Sequence, residues 1–160
     1  MEARMELKDF ERAAPSARAA LTALSKAATD GGLDKALVEL IKIRASQING
    51  CAFCLHMHTR DARAKGEKEE RIYVLDAWRE SPLYSARERA ALAWTEAVTL
   101  VSQTHVPDDV YEQARAEFSE EELVKLTLLV TTINAWNRFA ISFRSVHPVN
   151  VKAASTATAA

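Results

Sequence analysis

The chain has few residues that break helices, almost no cysteine and no block of one charge. Its 160 residues include four glycines, four prolines and two cysteines. So little glycine and proline leaves long regular segments with short connections. Two cysteines exclude the multi-pair disulfide framework of small secreted domains. Lys plus Arg number 21 and Asp plus Glu 22, spread along the chain, which removes the basic footprint of a nucleic-acid binder and the acidic tail of a solvating segment. No window reaches the roughly 18 apolar residues of a membrane span. The longest apolar region, residues 123–143, is interrupted by Lys125, Asn134, Asn137 and Arg138. Glu2, Arg4, Glu6, Lys8 and Asp9 place charge where a signal peptide needs an apolar stretch. These absences predict a cytoplasmic protein with neither nucleic acid nor membrane as a partner.

What is present is helical periodicity. With 48% hydrophobic and 27% charged residues, a chain of this length can bury a core without staples. The expectation is one domain over residues 1–149, followed by a disordered tail over 150–160 that is rich in Ala, Ser and Thr. Strand-like alternation is missing, so the fold class is all-α. About six to seven helices are predicted: 16–28, stopping at Asp30-Gly31-Gly32; 34–48; 51–66; 68–78; 85–102; one opening at Pro107; and the longest from Ser119 to just before His147-Pro148. Ser85 with Glu88 and Ser119 with Glu122 are capping boxes that mark two of the starts. The last helix is apolar nearly all round, which makes it either central to the core or shared with another subunit.

One constellation carries chemistry. Cys51, Cys54 and His58 are separated by three and four residues, so on a helix they share one face. Asn49-Gly50 is a turn signal, placing the Cys-x-x-Cys at the N-terminus of a core helix, where free N–H groups and the dipole favour a thiolate. An imidazole one turn along can take a thiol proton. The dipole favours Cys51 as the attacking sulfur and the spacing to His58 favours Cys54. If the flanking helices form an antiparallel hairpin, Glu39 reaches the depth of His58 and orients its ring, directly or through a water. His56 lies on another face and reads as a surface or interface residue. His105 and His147 adjoin helix ends without an assigned role, and Trp78, Trp94 and Trp136 read as packing. A zinc site needs a second ligand pair that the chain lacks. No metal and no cofactor are expected.

Glu39, Cys51, Cys54 and His58, at this spacing, resemble the alkyl hydroperoxidase D (AhpD)-like group of the carboxymuconolactone decarboxylase superfamily. Residues 37–51 look like its core helix and turn, and Thr132–Phe139 like its closing helix. The resemblance implies an all-helical fold assembling as trimers or hexamers. It implies thiol-dependent reduction of hydrogen peroxide or organic hydroperoxides through a Cys51–Cys54 disulfide. Cys54 would be the attacking thiolate, Cys51 the resolving partner, and Glu39 and His58 the proton relay. A dithiol protein, thioredoxin-like or lipoyl-type, would restore the pair. Phe53 departs from the pattern, because well-studied members carry a histidine just before the second cysteine. Two rivals are the decarboxylase chemistry of the superfamily, which uses no dithiol, and a redox-sensing or scaffold oligomer.

Overall fold

Pro15 sets the first boundary of the chain. A proline ring disfavours helical geometry at the residue before it, and at Ala14 the chain breaks into α1 (Leu7–Ala13) and α2 (Pro15–Thr29). The computed structural model describes residues 2–148, and the tail expected over 150–160 lies outside the described residues. Asp34 caps α3 (Lys35–Asn49), accepting hydrogen bonds from the backbone N–H groups of Ala36 and Leu37. The chain turns at Gly50 into α4 (Ala52–Ala64). There follow α5 (Glu69–Tyr73), a 3-10 turn (Leu75–Ala77), α6 (Ala86–Thr99), α7 (Val101–Thr104), α8 (Asp108–Glu117) and α9 (Glu120–Ser142).

The all-helical class is as expected, and the described residues contain no strand. No described helix is long and apolar enough to cross a membrane. Among the described residues nine α-helices and one 3-10 turn stand where about six to seven helices were read, for three local reasons. α1 is too short to show a periodic stripe. The segment over 68–78 is divided into α5 and the 3-10 turn at Val74, with φ −99° and ψ 10°. The segment over 85–102 breaks at Leu100, with φ −99° and ψ 32°, just after the β-branched pair Val98-Thr99, whose stiff side chains weaken helix propagation. Both capping boxes form as read, Ser85 with Glu88 and Ser119 with Glu122.

α3 and α9 form the centre, with α2, α4 and α6 packed against them. α3 buries Leu37, Val38, Leu40, Ile41 and Ile43, and α9 buries Leu126, Leu129, Val130 and Ile133. Burial of such side chains, at about 1.5–3 kcal/mol each, is the main force holding the layers together. Polar ties lock the register. The Trp94 indole donates to Thr127 at 3.0 Å, and Glu96 accepts from both Arg44 and Trp78 at 2.8 Å. One face of α9 is therefore core, while Val124 and Ile141 remain exposed.

Candidate functional site

The α3–α4 hairpin is made by Gly50. Its φ of +69° lies in the left-handed region that glycine adopts without cost. Gly50 N–H donates to the Gln47 carbonyl, and Cys51 N–H to the Ser46 carbonyl at 3.0 Å, which closes α3 and starts α4 at once. Cys51 is thereby the N-cap of α4, and its sulfur accepts from Cys54 N–H at 3.4 Å. The two sulfurs lie 2.6 Å apart, and both cysteines are free and buried.

The hairpin also brings Glu39 to His58. Glu39 Oε2 lies 2.9 Å from His58 Nδ1, and Glu39 Oε1 accepts from Lys65 Nζ at 2.7 Å, with Lys42 Nζ at 3.5 Å. Glu39 is only 2% exposed and His58 7%. Burial alone would raise the Glu39 carboxyl, but hydrogen bonds from His58 and Lys65, with the charge of Lys42, outweigh it and hold the carboxyl at about 2. An ionised carboxylate only accepts, so His58 Nδ1 is the donor. In the neutral ring Nε2 is then the free acceptor.

The two thiols are inequivalent. The hydrogen bond between the two sulfurs lowers Cys51 to about 7, against burial and with help from the Cys54 and Phe53 N–H groups and Asn137. The reverse holds at Cys54, which the hydrogen bond with Cys51, burial and the Cys51 charge push far upward. The first negative charge of the pair thus sits on Cys51, at the helix N-terminus. Access is divided the other way. A cavity of about 200 Å³ is lined by Cys54 and His58, together with Phe53, Met57, Ile133 and Trp136, and Cys51 does not line it. Trp136, read from sequence as packing, is therefore also a wall of this cavity.

Beneath the cysteines lies a polar network that the sequence reading did not assign. Asn137 is fully buried; its amide donates to Ser46 Oγ at 3.0 Å, and its carbonyl accepts from Asn49 at 2.8 Å. Asn49 also donates to Asn134 at 3.0 Å, and Asn134 donates to Thr99 at 3.0 Å. Asn137 lies beside both sulfurs and favours their charged forms. The available signal was two asparagines three residues apart on an otherwise apolar helix, where an unpaired amide is costly. Replacing Asn137 by Ala is expected to cost about 2 kcal/mol, since buried partners lose their hydrogen bonds. It should also move the iodoacetamide reactivity of the pair to higher pH; an unchanged pH profile would remove Asn137 from the site.

His56 is turned away from the cavity and stacks on His147, with centroids 4.5 Å apart and planes 12° apart. Among the described residues, no group of three or more His, Cys, Asp or Glu side chains is placed to hold a metal ion.

Residues 15–97 match the model of the carboxymuconolactone decarboxylase family. The uncharacterized protein YdfG of Bacillus subtilis (strain 168) is 45% identical over 129 residues, covering 81% of this chain and 88% of YdfG. A crystal structure of an Agrobacterium tumefaciens protein of unknown function, assigned provisionally to antioxidant defence as AhpD, superposes with a TM-score of 0.89. It is 46% identical, and the match covers 93% of this chain and all of that one. An uncharacterized peroxidase-related protein with an alkylhydroperoxidase AhpD core, from Ralstonia eutropha JMP134, shares the fold at a TM-score of 0.73. Its identity is 23%, over 86% of this chain and 73% of that one.

Proposed function

The chain belongs to the carboxymuconolactone decarboxylase family, and from that premise we propose that it is a dithiol peroxidase reducing hydroperoxides through a Cys51–Cys54 disulfide. The observation that carries this reading is the pair of sulfurs at 2.6 Å, of which only Cys54 meets the cavity, beside His58. The provisional place of the Agrobacterium relative in antioxidant defence agrees with it.

In the cycle, the pair enters with one proton between its sulfurs. Passing that proton from Cys54 to Cys51, or to His58 Nε2, puts the thiolate where the peroxide arrives. The Cys54 sulfur attacks the terminal oxygen, the O–O bond breaks, and the leaving oxygen gains a proton to become water or an alcohol. Cys54 is left as a sulfenic acid. Cys51 sulfur then attacks Cys54 sulfur and expels hydroxide, protonated to water, as the disulfide forms. An external dithiol, thioredoxin-like or lipoyl-type, restores the pair by exchange through a mixed disulfide. Glu39 holds the imidazole in the tautomer this relay needs. By the resemblance to the AhpD-like group the chain assembles as a trimer or hexamer; its charged N-terminal residues favour a cytoplasmic location, and the cycle calls for no cofactor.

The test is one turnover of the reduced protein with hydrogen peroxide, then with cumene hydroperoxide, following free thiols and intact mass. Loss of both thiols with a decrease of two hydrogens is expected. The rate should climb with pH through about 7, where the pair gives up its first proton, and then level off. Thiols that react no faster than free cysteine would end the peroxidase reading.

A further inference from the structure

Arg18 on α2 borders the same cavity as Cys54, and the peroxidase chemistry leaves it without a task. Its guanidinium lies over the Trp136 ring, 4.6 Å from the centroid, and donates to the Thr22 hydroxyl. Its Nε–H is buried without a hydrogen-bond partner, alone in this among the side-chain polar atoms of the described residues. Such a group is stabilised by gaining an acceptor, and a guanidinium gains most from an anionic one. Lys42 of α3 lines the cavity as well, its side chain 14% exposed, and the carboxylate it approaches is shared with Lys65 and His58. Among the described residues, no acidic side chain lines the cavity. Besides Cys54, His58 and the hydroxyls of Ser25, Thr29 and Thr132, the remaining walls are apolar, notably Phe53, Met57, Ile133 and Trp136.

We infer that the cavity takes a compact organic acid, its carboxylate paired with Arg18 beside Lys42 and its apolar body against Trp136 and Met57. Resting on the peroxidase reading, this makes the substrate class carboxylate-bearing organic hydroperoxides, with the peroxide end at Cys54. Cys54 sulfur takes the terminal oxygen, the O–O bond breaks, and the substrate leaves as the corresponding hydroxy acid after gaining one proton. The two electrons come from the dithiol, which closes to the disulfide as water is released.

Binding and turnover are read separately. Phenylbutyrate and phenylbutanol share an apolar body and differ in the carboxylate, and neither is a peroxide. Titrated calorimetrically into the reduced protein, the acid is expected to bind about tenfold more tightly than the alcohol, as one partly desolvated ion pair allows. In Arg18→Gln that preference should vanish while the alcohol binds as before. Equal binding of acid and alcohol to the wild type, or a preference that survives Arg18→Gln, overturns the inference. If the variant does not fold, salt carries the test. At about 1 M the screening length is roughly 3 Å, so a preference unchanged there also overturns it. Hydrogen peroxide and cumene hydroperoxide address the parent reading instead. If both leave the thiols intact while phenylbutyrate still depends on Arg18, the peroxidase falls and the anion site stands.

Discussion

Cys54→Ser is expected to abolish peroxide-driven chemistry altogether, with no sulfenic acid at Cys51 and no loss of its thiol above the rate of free cysteine. Cys51 holds the first negative charge of the pair, so a comparison of acidity alone would name Cys51 as the nucleophile. Access decides otherwise. Both thiols are almost fully buried, Cys51 at 1% and Cys54 at 2% exposure, but only Cys54 lines the cavity, and a thiolate reacts only where its partner can reach it. The reciprocal variant should behave differently. In Cys51→Ser, the negative charge that holds the Cys54 proton is gone, while burial still raises it. Cys54 should then react once and stop as a sulfenic acid, which dimedone traps and mass spectrometry places. A dimedone adduct on Cys51 in Cys54→Ser, formed at the wild-type rate, would reverse the two assignments.

The second large effect belongs to Glu39. Held at about 2 instead of its ordinary 4.5, this carboxyl contributes about 3 kcal/mol to folding at neutral pH. A folded-state value below the unfolded one means that the contribution is complete above about 4.5 and disappears as pH falls through about 2. Glu39→Gln should therefore lower the urea-unfolding free energy by about 3 kcal/mol at pH 7. The gap between variant and wild type should shrink steadily once the pH drops below about 4.5. The physical cause is that Lys42, Lys65 and the His58 N–H converge on one buried oxygen pair, and an amide cannot answer the charge of the two lysines. The same variant should slow the peroxide half-reaction, because an amide holds the His58 ring less firmly in one tautomer. Equal stability of variant and wild type at pH 7 would mean that Lys42 and Lys65 relax into solvent when the carboxylate is lost.

Much of the molecule was legible because it depends on neighbours along the chain. Capping at Ser85 and Ser119 and the turn at Asn49-Gly50 are local events, decided within a few residues. The meeting of Glu39 with His58 follows from two helix lengths and one turn, and the observed 2.9 Å needs no information from elsewhere. The helix breaks at Val74 and Leu100 were not legible, since weak propensity gives no sharp stop where packing chooses the point.

Sequence by itself settled the all-helical class, the α3–α4 hairpin, and a face shared by Cys51, Cys54 and His58, because periodicity and turn chemistry act at short range. The tertiary structure alone decided how that face is divided. α9 arrives from some 80 to 90 residues away, sets Asn137 beside the sulfurs and packs Ala140 into the cluster with Cys51 and Cys54. With α2 it builds the cavity that reaches only Cys54. The side chains of Arg18 and Trp136 meet there across 118 residues of sequence difference, a distance over which no local pattern carries information. Which thiol is charged and which is reachable are therefore properties of how helices cross, settled by the burial of α3 and α9 against each other.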